Sequence, residues 1–221
     1  DTDYDALDPD DVEVMNTDDD SSGASIDVDD GVRTSETGTT DTFTVVLNSR
    51  PTADVTIPVT SGDTTEGTVS PATLTGVDDA VADGDQVYSI ALGAATSTDA
   101  GYDGLDPMDV SATNVDNDSA GITVDIADGV STSETGTTDT FTVVLNSRPT
   151  ADVNIAVSSG DTTEGAVSPA TLVFTVDNWN APQTVTVTGV DDSTADGDQV
   201  YTIVLAPAVS TDAGYSGRDA M

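Results

Sequence analysis

The sequence predicts an all-β fold in which two sandwich domains follow one another along the chain. First, a long stretch occurs twice, because residues 34–55 are identical to residues 132–153. Second, each copy contains short runs in which apolar residues alternate with Thr and other residues, as in a strand with one buried face. Third, Gly, Pro, Asn and Asp cluster between those runs, and no segment shows a sustained helical period.

The alignment of the two copies predicts the domain boundaries. Leu74 corresponds to Leu172, but the next shared residue, Thr75, corresponds to Thr188, so the stretch 173–187 occurs only in the second copy. We predict repeat 1 at 21–118, shortened by the lack of this stretch, and repeat 2 at 119–221. The extra stretch contains two alternating runs joined by a polar turn. A sandwich that lacks this hairpin is expected to expose a strand edge.

Each repeat contains the strand pattern of an immunoglobulin-like sandwich. One run of repeat 1 alternates through Phe43, Val45 and Leu47, and a later run alternates through Tyr88 and Ile90. The same patterns recur in repeat 2 at Phe141, Val143, Leu145, Tyr201, Ile203 and Leu205. Six or seven short strands in about 100 residues are typical of this fold. The chain has no Cys, so aliphatic and aromatic side chains must fill the core.

The repeat pattern is out of phase with the ends of the chain. Residues 11–16 occupy the position that 109–115, the predicted last strand, occupy in repeat 1, and residues 4–9 match 102–107. We predict that residues 1–20 are the terminal strand and linker of a preceding repeat, and that the last strand of repeat 2 is missing. Two interpretations stay open: a fragment of a longer array, or a first strand donated to a neighbouring copy in a head-to-tail fibre.

The charge of the chain excludes several classes of partner and chemistry. The net charge is -38, the only cations are four Arg residues, and His is absent. We therefore predict no nucleic-acid partner, since phosphates would be repelled. We also predict no membrane insertion, because no apolar run approaches the roughly 20 residues of a membrane helix. Without His or Cys the commonest general base and thiolate sites are missing, and we predict no enzymatic activity.

The acidic residues are almost all Asp. Only five of the 42 are Glu, at positions 13, 36, 66, 134 and 164. Asp favours turns and presents a hard oxygen close to the backbone, as calcium-binding loops require. A short acidic segment, Asp116, Asn117 and Asp118, which we call the acidic knot, follows the predicted last strand of repeat 1. It predicts a calcium site at the junction of the repeats. The alternative is a surface charged for high salt, which the absence of Lys also fits.

An ordered set of short motifs occurs in both copies. Ser-Glu-Thr-Gly stands at 35–38 and 133–136, followed in each copy by Thr-Phe-Thr-Val-Val-Leu, by Ser-Gly-Asp, by Val-Asp-Asp and by Tyr-x-Ile-x-Leu. In this order the motifs resemble the Calx-beta family, calcium-binding immunoglobulin-like modules found in sodium–calcium exchangers and large bacterial surface proteins. The resemblance covers nearly the whole chain. It implies tandem Calx-beta-like sandwiches with a calcium cluster, fed by several loops, at one end of each.

The resemblance implies Ca²⁺ ligands drawn from acids that are distant in sequence. In repeat 1 the candidates are Glu36, Asp63, Asp78, Asp79, Asp83, Asp85, Asp116, Asn117 and Asp118. In repeat 2 they are Glu134, Asp161, Asp191, Asp192, Asp196 and Asp198. Asp18 and Asp20 would belong to the preceding repeat or cap the N-terminal end of repeat 1. Clustered carboxylates repel one another without a cation, so bound calcium would stabilise the folded repeats.

These observations predict a non-enzymatic, calcium-binding structural repeat of an extracellular or cell-surface adhesin, fibre or matrix protein. Calcium would rigidify the modules and their junctions, and the partners would be neighbouring copies of the same repeat. One alternative is a calcium-dependent carbohydrate-binding module, in which Trp179 would stack on a sugar. Another is an acidic spacer for high salt with no specific metal.

Overall fold

The computed structural model describes residues 3, 8, 10–70 and 73–220 of the chain. These residues form 18 strands and no helix, which confirms the all-β prediction and is consistent with β-sandwiches. Residues 4–7 and 9, which hold most of the counterpart of 102–107, lie outside the described residues, as do 1, 2, 71, 72 and 221. Within the described part, no helix is long and apolar enough to cross a membrane.

The strands of repeat 1 are short and numerous. They are β1 (Ala24–Asp27), β2 (Val32–Ser35), β3 (Thr40–Asp41), β4 (Thr44–Leu47), β5 (Val55–Thr56), β6 (Val59–Ser61), β7 (Gly67–Ser70), β8 (Thr73–Gly76), β9 (Gln86–Leu92), β10 (Thr96–Ser97) and β11 (Val110–Val115). They form sheets in the orders β2-β11-β9-β6, β3-β8-β7, β1-β4 and β10-β5. Within the first of these sheets, β11 lies between β2, to which it runs parallel, and β9, to which it runs antiparallel.

The strands of repeat 2 are fewer and longer. They are β12 (Ile122–Asp125), β13 (Thr138–Leu145), β14 (Val153–Ser159), β15 (Gly165–Ser168), β16 (Thr171–Phe174), β17 (Gln183–Gly189) and β18 (Ile203–Leu205). They form one sheet in the order β12-β13-β17-β15 and another in the order β16-β14-β18.

The stretch 173–187, present only in repeat 2, accounts for much of this difference. It includes the end of β16 and most of β17, and β17 pairs with β13 along six positions. In repeat 1, β4 pairs only with β1, so its other edge has no partner strand among the described residues. Phe141, Val143 and Leu145 on β13 are accordingly buried, whereas Phe43 and Val45 are half-buried.

Each repeat has its own group of buried apolar side chains. In repeat 1 the group is Val32, Leu74, Tyr88, Ile90, Leu92, Val110 and Ala112. In repeat 2 it is Ile122, Phe141, Val143, Leu145, Val153, Ile155, Val157, Leu172, Phe174, Val185, Val187, Ala208 and Tyr215. These sets follow the predicted alternation, because residues at every second position of a strand face the same side. Repeat 1, which lacks the stretch 173–187, has the smaller core. This stretch is not the hairpin that the sequence predicts, because β16 pairs with β14 and β17 pairs with β13 and β15 in another sheet.

In each repeat, a buried Tyr near the C-terminal end hydrogen-bonds to a Ser in an earlier connection between strands. The hydroxyl of Tyr102 donates to Ser49 O at 2.5 Å and accepts from Ser49 N at 3.0 Å. Tyr215 makes the same two bonds to Ser147, at 2.7 Å and 3.0 Å. Each hydroxyl thereby satisfies backbone groups in the Asn-Ser-Arg-Pro connection between two strands.

The segment at 10–23 contains residues 11–16, for which the sequence predicts the strand of a preceding repeat. It carries no strand or turn, although β11, which has the corresponding sequence position in repeat 1, is fully formed. The physical reason is the lack of a partner, because an extended segment needs neighbouring strands to bond its backbone groups. Val12, Val14 and Met15 are 86%, 85% and 89% exposed.

Candidate metal-binding site

Three carboxylates from distant parts of repeat 1 converge at one end of its strands. Glu36 directly follows β2, Asp78 lies in the loop after β8, and Asp118 lies just beyond β11. Each offers one oxygen, and these oxygens all lie within 4.8 Å of one another. Because β2 and β11 are parallel neighbours, the residues that follow them emerge side by side. We call Glu36, Asp78 and Asp118 the Glu36 cluster.

Hydrogen bonds from Asn117 hold the Glu36 cluster in place. The backbone N–H of Asn117 donates to Glu36 Oε2 at 3.0 Å, and its side-chain Nδ2 donates to Asp78 Oδ1 at 3.0 Å. Asn117 therefore acts as a donor that orients two carboxylates. Asp116 supports the same loop, since its Oδ1 accepts from Asp118 N at 2.7 Å and its Oδ2 accepts from Gly84 N at 2.6 Å.

The carboxyl of Glu36 is buried among like charges. Only 4% of the residue is exposed. Its pKa is raised from the ordinary 4.5 to about 7, mainly by burial; the bond from Asn117 lowers it, and the charges of Asp116, Asp79 and Asp118 raise it. Burial, followed by the charges of Asp116, Asp78 and Asp79, also raises the pKa of Asp118. The cluster thus favours a bound proton or cation over bare charge.

A second group of carboxylates lies in the neighbouring loops of repeat 1. Glu66, Asp79 and Asp83 each offer an oxygen within 4.8 Å of the others, and we call them the Glu66 cluster. Buried Asn114 on β11 donates through Nδ2 to Glu66 Oε2 at 3.3 Å and to Val77 O at 2.9 Å. Burial is the main cause that raises the pKa of Glu66, and the charges of Asp83 and Asp79 also raise it.

Among the described residues of repeat 2 there is one such group, made of the counterparts of the Glu66 cluster. Glu164, Asp192 and Asp196 bring three oxygens within 4.8 Å, and we call them the Glu164 cluster. Burial and then the charges of Asp196 and Asp192 raise the pKa of Glu164. The counterparts of Glu36 and Asp78, which are Glu134 and Asp191, belong to no such group within the described residues.

Sequence reasoning missed Glu66 and Glu164. It proposed Asp63 and Asp161 from the same turns, but those carboxylates accept bonds within their own turns. Asp63 Oδ1 accepts from the N and Oγ1 of Thr65 at 2.9 and 2.6 Å, and these bonds lower the pKa of Asp63. The sequence did hold a signal for these two residues. The chain has only five Glu residues, and Glu66 and Glu164 occupy equivalent positions in the two copies.

Other predicted residues serve the loops or lie apart from the clusters. Asp85 accepts from Asp116 N at 3.2 Å through Oδ1 and pairs with Arg33 at 3.0 Å through Oδ2. Asp18 Oδ1 accepts from Asp20 N at 3.1 Å on the exposed segment before β1. Across the described residues, the predicted ligands brought into three-carboxylate groups are Glu36, Asp78, Asp79, Asp83, Asp118, Asp192 and Asp196. Those outside such groups are Asp18, Asp20, Asp63, Asp85, Asp116, Asn117, Glu134, Asp161, Asp191 and Asp198.

The acidic loops of repeat 1 contact repeat 2. The backbone N–H of Arg148, in a turn of repeat 2, donates to Ala80 O at 2.6 Å. Ala80 directly follows Asp78 and Asp79 in sequence, so both clusters of repeat 1 lie close to the joint between the repeats. The loop that carries these acids therefore also carries a contact between the two repeats.

The donor set of these groups fits calcium. All the converging atoms are carboxylate oxygens, the hard ligands that Ca²⁺ takes, and backbone carbonyls and water commonly complete its shell of roughly 6–8 oxygens. The chain has no His or Cys to attract softer metals. Comparison with known proteins adds no further constraint: no protein-family model matches the chain, and no curated protein sequence matches it.

Proposed function

We propose that the chain is a calcium-binding structural repeat of an extracellular or cell-surface adhesin, fibre or matrix protein. The observation that carries the proposal is the Glu36 cluster, in which a carboxyl only 4% exposed lies within 4.8 Å of two Asp oxygens. Such a group is costly when charged and unpaired. A divalent cation removes that cost in the folded state alone, so it stabilises the fold by mass action.

The architecture in this proposal is a pair of tandem immunoglobulin-like sandwiches resembling the Calx-beta family. Its support is the sequence duplication, the separate cores of the repeats and the convergence of carboxylates at one end of β2, β9 and β11. Calcium bound there would fix the loop that bears Ala80, which bonds to repeat 2. The ion would therefore stiffen the joint as well as the repeat. Extracellular calcium modules typically bind with a Kd of about 10⁻⁴ to 10⁻³ M.

Calorimetric titration of the full chain with calcium tests the proposal. We expect heat of binding and a rise in Tm, with about 2.7 kcal/mol of stabilisation per site when free calcium is 100 times its Kd. Sodium and potassium chloride of equal ionic strength should not reproduce this rise. If potassium chloride replaces calcium fully, the high-salt spacer is the correct interpretation.

A charge-matched pair of variants locates the effect. Glu36→Gln combined with Asp118→Asn should weaken calcium binding and reduce the calcium-dependent rise in Tm. Asp125→Asn combined with Asp27→Asn, at exposed positions on β12 and β1 outside all three groups, should leave both unchanged. Equal effects of the two double changes would show that only overall charge matters.

The structure gives the carbohydrate-binding alternative no specific support. Trp179, the proposed stacking residue, is partly buried and packs against the core of repeat 2. A glycan array probed with and without calcium distinguishes the two functions. The structural repeat predicts no sugar binding in either condition.

A further inference from the structure

Repeat 2 contains an open groove of about 1040 Å³ at the place where repeat 1 has β11. Residues 130–133 line one side of the groove, and residues 199–201 with Ile203 line the other. Phe141 and Val187 from the core also reach it. The groove therefore combines apolar side chains with two stretches of backbone that form no strand, apart from Ile203 at the start of β18.

In repeat 1 the corresponding stretches are joined by β11. Ala112 lies opposite Val32 of β2 on one side and opposite Tyr88 of β9 on the other. The counterparts of Val32 and Tyr88 in repeat 2 are Val130 and Tyr201. Both of these line the groove.

The local structure of repeat 2 differs from that of repeat 1 along these stretches. Val32 is 5% exposed, whereas its counterpart Val130 is 37% exposed. Likewise, β9 begins at Gln86, whereas the corresponding strand of repeat 2 begins only at Ile203. Because a strand is held by its neighbours, the stretches that β11 pairs with in repeat 1 lack that partner among the described residues of repeat 2.

The chain also contains an exposed segment whose sequence corresponds to that of β11. In the duplication, residues 11–20 correspond to 109–118, which hold β11 and the acidic knot after it. Val12 and Val14 correspond to the buried residues Val110 and Ala112, yet both are largely exposed. The segment therefore presents an apolar face of the right period with nothing packed against it among the described residues.

We propose that residues 11–16 of a second copy of this chain enter the groove of repeat 2 as its last strand, which links copies head to tail. The register follows from β11: Val12 lies opposite Ile203, and Val14 lies between Tyr201 and Val130. Asn16 takes the place of Asn114. Each donated strand pairs with both stretches, as β11 pairs with β2 and β9, and buries two Val side chains.

A second copy fits the groove better than the segment of the same chain. In repeat 2, β13 runs from the end near Glu134 to the end near Arg148, and its length separates these ends by about 26 Å. Repeat 1 already contacts the Arg148 end. A donated segment would end at the Glu134 end of repeat 2, and repeat 1 of the donor would follow it there. The acceptor's own repeat 1 lies at the Arg148 end, so the donor must be another copy. The contact is therefore heterologous and extends into a chain of copies.

The donated segment would rebuild the junction found within the chain. The first residue of β12, Ile122, follows Val115 by the same interval that separates Ala24 of β1 from Thr17. Asp20 of the donor would then lie beside Glu134 and Asp191 as Asp118 lies beside Glu36 and Asp78. This last point rests on the proposed function, because the three carboxylates would need a cation. The donation of the strand itself does not rest on the proposed function.

Sedimentation and light scattering of the full chain over a concentration series test the proposal, in millimolar calcium and in chelator. We expect the average mass to rise with concentration. Val12→Asp with Val14→Asp should abolish the rise without changing the circular dichroism, since both side chains are exposed in the single copy. Glu13→Ser, which copies Ser111 at the outward position, should leave assembly intact.

Cross-linking tests the register directly, because the chain has no Cys. Glu13→Cys with Thr202→Cys should give a ladder of disulfide-linked copies. Glu13→Cys with Ser89→Cys is the matched control and should not, since β11 already lies beside Ser89. A labelled peptide of residues 10–23 should bind the Val12→Asp, Val14→Asp chain, and the same peptide carrying both Asp changes should not.

The outcomes separate the two proposals. Monomers at every concentration with no peptide binding, or assembly that survives the double Asp change, would overturn strand exchange. A monomer whose own segment is protected from hydrogen exchange would show that the groove is filled within one copy, which also overturns it. Assembly in chelator together with a calcium-insensitive Tm would support strand exchange and reject the calcium function.

Discussion

The backbone N–H of Asn117 donates to Oε2 of Glu36 at 3.0 Å and so joins the ends of β2 and β11 across 81 residues of sequence. The carboxylate that anchors this bond is also the most buried acid of the clusters. The pairing of β11 with β2 therefore also brings the residues of the Glu36 cluster together. In repeat 1, β11 thus provides the centre of the sheet and leads directly to Asp118 of the Glu36 cluster.

Glu36→Gln should remove a pH-dependent loss of stability in chelator. Folding raises the pKa of Glu36 from 4.5 to about 7, so the folded chain holds this proton more tightly than the unfolded chain. The stability from this proton is complete below about pH 4.5 and is lost as the pH rises through about 7. The loss is about 3 kcal/mol, and urea unfolding of wild type and variant at both ends of the range measures it. Saturating calcium should abolish the difference in pH dependence; a parallel pH profile for the two proteins in chelator would contradict the assignment.

Glu66→Gln should weaken calcium binding about tenfold, which corresponds to about 1.4 kcal/mol, because it removes one charged oxygen from the Glu66 cluster. Calorimetric titration measures the change. Asp63→Asn is the control, because the amide oxygen retains the bonds to Thr65 and Asp63 lies outside the cluster. A larger effect from Asp63→Asn would show that the turn rearranges on metal binding.

Tyr215→Phe should cost repeat 2 about 1–3 kcal/mol of stability, since Ser147 loses both a donor and an acceptor at a fully buried position. Tyr102→Phe should cost repeat 1 less, because Ser49 is only partly buried and water replaces part of the loss. Denaturant unfolding with fluorescence and hydrogen exchange resolves the two repeats. Neither change should alter calcium affinity, and a shift in affinity would couple these turns to the clusters.

Insertion of a copy of residues 173–187 after Leu74 should stabilise repeat 1. The inserted segment would supply β4 with the partner that β17 gives β13, and it would cover Phe43 and Val45. Hydrogen exchange of Thr44–Leu47 should slow, and the free energy of unfolding of repeat 1 should rise towards that of repeat 2. The same segment in scrambled order is the control. Equal exchange in both insertions would mean that the short repeat has no strand edge to fill.

The sequence predicted the strands and the buried faces well where a partner strand exists. Phe141, Val143 and Leu145 are buried as their alternation predicts, and β11 falls where the last strand of repeat 1 was expected. Residues 11–16 carry the same alternation but form no strand. Alternation reports a preference for a buried face, whereas strand formation depends on neighbours that a local pattern does not contain.

The candidate site was predicted in outline and less well in detail. Asp78, Asp79 and Asp83 fall in clusters as expected, because turns that follow adjacent strands meet at one end of a sheet. The prediction named Asp63 and missed Glu66, which lies three residues further along in the same turn. The short side chain of Asp63 bonds within its own turn, whereas the longer side chain of Glu66 reaches the neighbouring loop. Side-chain length therefore decides which of the two acids joins the cluster, and charge alone does not.

The parallel pairing of β2 with β11 has a mechanical consequence. These strands lie near opposite ends of repeat 1 in sequence, and they are paired from Val32 with Ala112 to Ser35 with Val115. Tension along an array would pull the start of β2 and the end of β11 in opposite directions. The pair would then be loaded in shear, and its hydrogen bonds would have to break together instead of opening one at a time. In the proposed array, the strand that completes the sheet would thus bear the tensile load.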